Sequence, residues 1–172
     1  MDRRERARRA YETGRLQVAA MRAAPAIAFG VVAVVTAGAG LGSVAAATLL
    51  GVVGAALVYL GGPAGRVVPE AWWVGWVPFA LPLLVRGQVC PLGGACEAWC
   101  LAACATGGAL AGGWLGWRST REEGGVRWLV SGLALAGAAG ALGCSCVGVP
   151  GLAGMALGAV LTAPVTRRLT LA

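Results

Sequence analysis

Long apolar runs separated by short polar segments dominate this chain. One helical crossing of a bilayer needs about 20 apolar residues, and residues 23–60 form an apolar run of 38 residues. The glycine-rich stretch 38–42 in its middle is typical of a turn and predicts two helices in a tight hairpin. Applied along the whole chain, the same reasoning predicts six spans, at residues 23–39, 43–61, 68–85, 96–117, 128–146 and 151–166.

The polar segments between these runs predict the connections. Residues 61–66 (GGPAGR) and 118–127 (RSTREEGGVR) are expected to be loops, the second of them solvated. The third span contains Pro78 and Pro82, each of which removes a helical hydrogen bond, so we expect a kinked or broken helix there.

Composition favours a membrane protein over a soluble one. The chain is 58% hydrophobic and 12% charged, whereas a soluble domain carries about 25% charged residues. Its 29 glycines also fit membrane helices, where small residues line helix contacts. The expected fold class is therefore all-α, a polytopic membrane helical bundle, with a basic arm at 1–22 and a transmembrane domain at 23–168.

The arginines predict the orientation of the bundle. All 14 basic residues are arginine. Placing both termini in the cytoplasm puts 13 of the 14 on that side, in agreement with the excess of basic residues that cytoplasmic segments of membrane proteins carry. The net charge of +7 is thus explained by topology, with no direct nucleic-acid contact implied. Six aromatic residues fall near the predicted inner ends, as an interfacial belt would: Tyr59, Trp72, Trp73, Trp114, Trp117 and Trp128.

This topology gathers all six cysteines on or near the outer side, which in a bacterium is the oxidising periplasm. They are Cys90, Cys96, Cys100, Cys104, Cys144 and Cys146. Side chains four apart on a helix have Cβ atoms about 5–6 Å apart, whereas a disulfide needs about 3.8 Å. The three cysteines of the fourth span should therefore pair with Cys90, Cys144 or Cys146 and not with each other.

Two interpretations of the cysteines stay open. Disulfides could staple spans four and five together, or the thiols could respond to redox state or to a soft metal ion. No histidine is present, so a metal would bind thiolates, for which Cys96, Cys100, Cys144 and Cys146 are the candidates. The metal ion is the one cofactor that the sequence suggests.

Gly108, Gly112 and Gly116 continue the cysteine spacing down the fourth span. Four-residue steps keep these positions near one helix face, and glycines there allow close helix packing in a bilayer. We expect a sulfur site at the outer end of this face and a packing seam below it, along which spans four and five meet.

Enzymatic activity is not indicated. The chain has no Ser/His/Asp set or phosphate-binding loop, and no charged residue lies near the centre of a predicted span, which disfavours an ion-coupled transporter.

The second half of the chain resembles the bacterial six-span anti-sigma factors that hold extracytoplasmic-function sigma factors at the membrane. The similar segments are VCPLGGACEAWC (89–100), LALAGAAGALGCSC (133–146) and GLAGMALGAVLTAPVTRRL (151–169). The resemblance implies that a cytoplasmic sigma factor binds the arm, around Arg3, Arg4, Arg8 and Arg15. It also implies that Cys96 or Cys100, together with Cys144 or Cys146, performs the sensing.

The sequence thus leads to one hypothesis and two alternatives. The first is a regulatory protein of the bacterial inner membrane, surrounded by membrane lipids, that senses thiol chemistry outside and binds a partner inside. The alternatives are a thiol-based redox or metal-handling membrane protein without a partner, and a structural protein whose disulfides staple spans four and five.

Overall fold

A computed structural model of the chain describes residues 3–37, 41–88, 96–143 and 148–169. Every element in these ranges is a helix, with no strand among them, so the expected all-α class is confirmed. The helices are α1 (Arg3–Ala23), α2 (Pro25–Ala37), α3 (Leu41–Leu60), α4 (Gly62–Arg66), α5 (Val68–Gln88), α6 (Cys96–Ser119), α7 (Gly125–Gly143) and α8 (Gly148–Leu169).

Four stretches are long and apolar enough to cross a bilayer: Arg3–Val32, Val68–Gln88, Cys96–Ser119 and Gly125–Leu142. Two more, Val44–Leu60 and Gly151–Thr162, are apolar but shorter within the described residues. The helices are therefore those of a membrane protein by length and composition.

The contacts between helices show that their directions alternate. In the α2–α3 hairpin, Gly30 lies against Ala47 and Gly51 against Ala26, so the two helices are antiparallel. α5 and α6 are also antiparallel, because Arg118 meets Glu70 near one end while Gly107 meets Pro78 farther along. α5 and α7, in contrast, run parallel, because Gly75 lies beside Ala136 and Ala139 while Pro78, farther along α5, lies beside Gly140.

Two ends of the bundle can be defined from these directions. The arginine end is where Arg15, Arg66 and Arg118 meet Tyr59, Glu123 and Glu70 respectively. The cysteine end is the opposite end of α6, which carries Cys96, Cys100 and Cys104. α6 joins the two ends, and at about 1.5 Å per residue its 24 residues span about 36 Å.

The core is partly aromatic, and this overturns part of the predicted interfacial belt. Trp72 and Trp128 are each only 1% exposed. Trp72 lies against Gly54, whose missing side chain leaves room for the indole. Phe29 of α2 stacks on Trp76 of α5 at 4.4 Å between ring centroids. The two tryptophans are thus core residues that could not line a lipid interface, whereas Trp73 is largely exposed.

The structure excludes one of two alternatives for the third span and corrects one predicted loop. α5 runs without interruption through Pro78 and Pro82, so the helix is not broken. Gly107 of α6 and Gly140 of α7 both face Pro78 and leave space for its ring. The predicted loop 61–66 contains the short helix α4. The chain turns between α3 and α4 at Gly61 and Gly62, whose φ values of 78° and 74° are unfavourable for residues other than glycine.

Candidate functional site

The candidate site begins with the three cysteines of α6. Cys96 and Cys100 are half-buried and Cys104 is buried at 3% exposure, while Glu97 and Trp99 between them are exposed. The cysteine-bearing side of α6 therefore turns into the bundle, and it does so progressively toward the middle of the helix. Cys90, Cys144 and Cys146 lie outside the described residues.

No group of three or more cysteine, histidine, aspartate or glutamate side chains is arranged to hold a metal ion within the described ranges. Of the four cysteines predicted as metal ligands, only Cys96 and Cys100 fall in those ranges. The metal site therefore stays a prediction.

Below the cysteines, α6 packs directly against the backbone of α8. Gly108, Gly112 and Gly116 form a glycine seam along α6. A Cβ atom added at Gly108 would lie 2.2 Å from the carbonyl oxygen of Gly151, and one at Gly112 would lie 2.0 Å from that of Met155. At Gly116 it would lie 2.4 Å from Oγ1 of Thr162. Real Cβ atoms never come this close, so the seam requires glycine.

α8 contributes a matching set of small residues. A Cβ atom at Gly154 would lie 2.3 Å from the carbonyl oxygen of Ala105, and one at Gly158 would lie 2.2 Å from that of Ala109. Each helix thus inserts its glycines against the backbone of the other, which is the close approach that small residues four apart permit in membranes. The four-residue spacing of Gly154 and Gly158 is visible in the sequence and makes α8 a candidate partner, but the spacing alone does not select it.

The seam partner differs from the one expected. The sequence hypothesis had spans four and five meeting along the seam, but α6 makes its most extensive contact with α8, which is the sixth predicted span. The paired positions increase together along both helices, so α6 and α8 are parallel. The backbone carbonyl of Cys104 lies 3.8 Å from the position of a Cβ at Gly151, which places Cys104 where this packing begins.

At the arginine end, α6 is tied to α5 by an ion pair. The Arg118 guanidinium donates from Nη2 to Oε1 of Glu70 at 2.5 Å and from Nε to Oε2 at 3.2 Å. A second carboxylate, that of Glu122, lies 3.9 Å away. Two parallel hydrogen bonds fix the guanidinium in orientation as well as in position. The last turn of α6 is therefore coupled to the first turn of α5.

α5 is in turn tied to the N-terminal helix. Trp72, two residues after Glu70 in α5, donates its indole N–H to the backbone carbonyl of Arg22 at 2.9 Å. Arg15 donates to the carbonyl of Tyr59, and its guanidinium lies 4.6 Å from the centroid of the Tyr59 ring. The described part of the basic arm is therefore the helix α1, which is bonded to the rest of the bundle at two points.

The four arginines predicted to bind a partner lie in different surroundings. Arg3 and Arg4 are exposed at the start of α1. Arg8 is exposed and pairs with Glu12 at 2.9 Å, and this hydrogen bond raises the pKa of Arg8. Arg15 is engaged with Tyr59. Arg3, Arg4 and Arg8 are thus presented outward, whereas Arg15 holds the arm to α3.

Comparisons with known proteins add no relative. No family model matches the chain, and neither a curated protein nor a solved structure does. The similarity to six-span anti-sigma factors stays a prediction.

Proposed function

We propose that the chain is a regulatory protein of the bacterial cytoplasmic membrane, related in design to the anti-sigma factors. In this proposal it crosses the membrane six times with both termini in the cytoplasm. Thiol chemistry at its cysteine end, on the periplasmic side, controls the binding of a cytoplasmic partner, a sigma factor by the resemblance, to the basic arm.

The alternating helix directions support the topology. α1–α2 run parallel to α5, because Arg22 meets Trp72 and Phe29 meets Phe79 farther along. α1–α2, α5 and α7 therefore share one direction, and α3, α6 and α8 share the other, as six successive crossings require. Arg15, Arg66 and Arg118 then fall on one side of the membrane with the N-terminal arm, in agreement with the preference of arginine for cytoplasmic segments.

The position of α6 is the observation that carries the regulatory role. One end of this helix bears Cys96, Cys100 and Cys104, its middle packs through the glycine seam, and its other end holds Glu70 through Arg118. Trp72 of the same helix, α5, is hydrogen-bonded to the backbone of Arg22 in the arm. A change in packing at the cysteine end can therefore move a helix that is linked to the arm.

Either of two triggers fits the cysteine end. When an external thiol oxidant accepts two electrons and two protons from two thiols, their sulfur atoms form one S–S bond, and this holds the two Cα atoms about 4.4–6.8 Å apart. A soft metal ion would instead draw together two or more thiolates. In both cases regulation requires that the trigger favour one packing of α6 over another, and couplings of this kind are about 1–3 kcal/mol.

Photo-crosslinking in cells tests the proposal with the full chain. A photoreactive residue at position 4 probes the exposed arm, and one at Trp73, which is exposed on the side of α5, serves as the control position. Cells are irradiated with and without a thiol oxidant, in the parent chain and in a Cys96→Ala/Cys100→Ala variant.

The proposal predicts a cytoplasmic protein crosslinked from position 4 but not from position 73. Its yield should change with oxidant in the parent chain and stay constant in the cysteine variant. A crosslinking yield that changes neither with oxidant nor with removal of the cysteines would contradict the regulatory role. Oxidant-dependent chemistry of the cysteines with no crosslinked partner would favour the alternative of a thiol-handling protein that acts alone.

A further inference from the structure

A pocket at the arginine end lies between α1 and α3, away from the cysteines and from the glycine seam. Its volume is about 420 Å³, and it is lined by Tyr11, Gly14, Arg15, Val18, Arg22 and Val58. Ligand sites commonly have volumes of about 300–1,000 Å³. The lining combines two arginines with Tyr11 and two valines and contains no acidic residue.

The two arginines of this pocket keep donors for a ligand. Arg15 uses one N–H on the carbonyl of Tyr59, and its guanidinium lies 4.6 Å from the Tyr59 centroid and 5.7 Å from that of Tyr11. An arginine side chain has five N–H donors, so the remaining ones stay available in a fixed orientation. The acidic residue nearest to Arg15 in the sequence, Glu12, is paired with Arg8.

Arg22 is held by its backbone and not by its side chain. Its carbonyl accepts the indole N–H of Trp72, while its exposed guanidinium makes no ion pair or side-chain hydrogen bond with any residue in the described ranges. The backbone that carries this cation is therefore anchored to the core, while the charge of the guanidinium is uncompensated within the described ranges. Arg22 also directly precedes the first apolar run, which is where a lipid headgroup meets a membrane helix.

We propose that this pocket binds one anionic glycerophospholipid. The phosphate accepts hydrogen bonds from Arg22, the rest of the headgroup extends toward Arg15, and the start of an acyl chain lies on Val18 and Val58. Two cations beside an apolar wall complement an amphiphile that carries an anionic phosphate, whereas a free phosphate would leave the valines without a contact. The inference does not depend on the regulatory role proposed above.

Gly14 gives a way to close the pocket without disturbing the protein. A Cβ atom at Gly14 would meet no atom within 4 Å, so the side chain of a Gly14→Leu variant enters open pocket space. Gly87→Leu is the matched control, because Gly87 is also helical and also surrounded by open space but does not line the pocket. Arg22→Gln removes the phosphate donor, and Arg86→Gln removes a charge elsewhere.

Lipid binding is measured by native mass spectrometry of the full chain in detergent. The probes are phosphatidylglycerol, phosphatidylcholine with the same acyl chains, and inorganic phosphate. The parent chain, Gly87→Leu and Arg86→Gln should each retain one phosphatidylglycerol in preference to phosphatidylcholine. Arg22→Gln should weaken that binding about fivefold, which corresponds to about 1 kcal/mol for one arginine near anionic lipid. Gly14→Leu should abolish it.

Three results would overturn the proposal. The first is equal retention of phosphatidylcholine and phosphatidylglycerol by the parent chain. The second is unchanged lipid binding in both the Gly14→Leu and Arg22→Gln variants. The third is competition by inorganic phosphate that displaces the lipid completely, because this would identify a site for a free anion.

Discussion

Gly112 and Gly113 are neighbours on α6 that differ in what surrounds them. A Cβ atom at Gly112 would lie 2.0 Å from the carbonyl oxygen of Met155 and 2.7 Å from its Cα. A Cβ atom at Gly113 would lie 3.5 Å from Cγ2 of Thr162, an ordinary contact. Substituting alanine at each position in turn makes the same chemical change in the same helix, so any difference in stability reflects the seam.

The expected cost follows from these distances. Normal contact needs about 3.5 Å, so Gly112→Ala lacks about 1.5 Å, and the atoms that it meets belong to the backbone of α8. That backbone cannot rotate away as a side chain could, so α6 and α8 must separate. Overpacking of this kind lowers the free energy of unfolding by about 1–3 kcal/mol. Separation of α6 from α8 by about 0.5–1 Å is enough to lose a quarter to a half of the dispersion attraction of each contact between them.

Gly113→Ala should be neutral or stabilising. Replacing glycine by alanine within a helix favours the helix by about 1 kcal/mol, and the new methyl group fits against Thr162. The free energies of unfolding of the two variants should therefore differ by about 2 kcal/mol. The measurement is unfolding of the purified protein in mixed micelles by titration with a denaturing detergent, followed by the helical circular dichroism signal.

Equal stabilities of the two variants would refute the seam as described, because they would mean that α8 does not lie against Gly112. Failure of Gly112→Ala to fold, with Gly113→Ala folding normally, would agree with the larger end of the expected cost.

Two further predictions concern the links at the arginine end. Glu70→Gln should lower the free energy of unfolding by about 1 kcal/mol, because it removes the charge of a bidentate pair that is about one-third exposed. Glu123→Gln should change it by less than about 0.5 kcal/mol, because that carboxylate is 92% exposed and lies 3.9 Å from Arg66. Both are measured in the same micelle titration, and equal effects would contradict a special role for Arg118. Trp72→Phe should leave the Arg22 carbonyl without its hydrogen-bond donor and lower the free energy of unfolding by about 1–2 kcal/mol. Trypsin should then cleave faster after Arg22. An unchanged cleavage rate would show that this hydrogen bond does not hold the arm.

The positions of the helices could be predicted from the sequence because the apolar runs are bounded by glycine, proline or arginine. The run predicted as a helix over 43–61 is α3, Leu41–Leu60, and the one predicted over 96–117 is α6, Cys96–Ser119. α4 was missed because five residues with two glycines and a proline carry no apolar periodicity.

What each helix packs against could not be predicted in the same way. The spacing of Gly108, Gly112 and Gly116 shows that some helix approaches closely, but the spacing on one helix does not say which. The choice of α8 depends on Gly154 and Gly158, which interlock with the seam only if the two helices are parallel. That condition is a property of the whole bundle and is not contained in either segment alone.

The burial of individual side chains could not be predicted from the sequence either. Trp72 and Trp73 are adjacent in sequence and both lie near a predicted membrane boundary, yet one is 1% exposed and the other 77%. The difference arises because Gly54 of α3 accepts the ring of Trp72. A kink or a break at Pro78 and Pro82 was expected for a related reason, since the glycines of α6 and α7 that accommodate the ring of Pro78 are distant in sequence.

The claim on which the proposed function depends is that the cysteine end faces the periplasm and the arginine end the cytoplasm. Labelling of intact cells with a membrane-impermeant maleimide, after mild reduction, tests it most directly. Glu97→Cys and Glu123→Cys form a matched pair of variants, because both glutamates are exposed and they lie at opposite ends of the bundle. Mass spectrometry locates the modified residue. The account predicts labelling at position 97 in intact cells and at position 123 only after permeabilisation; the reverse pattern would contradict it.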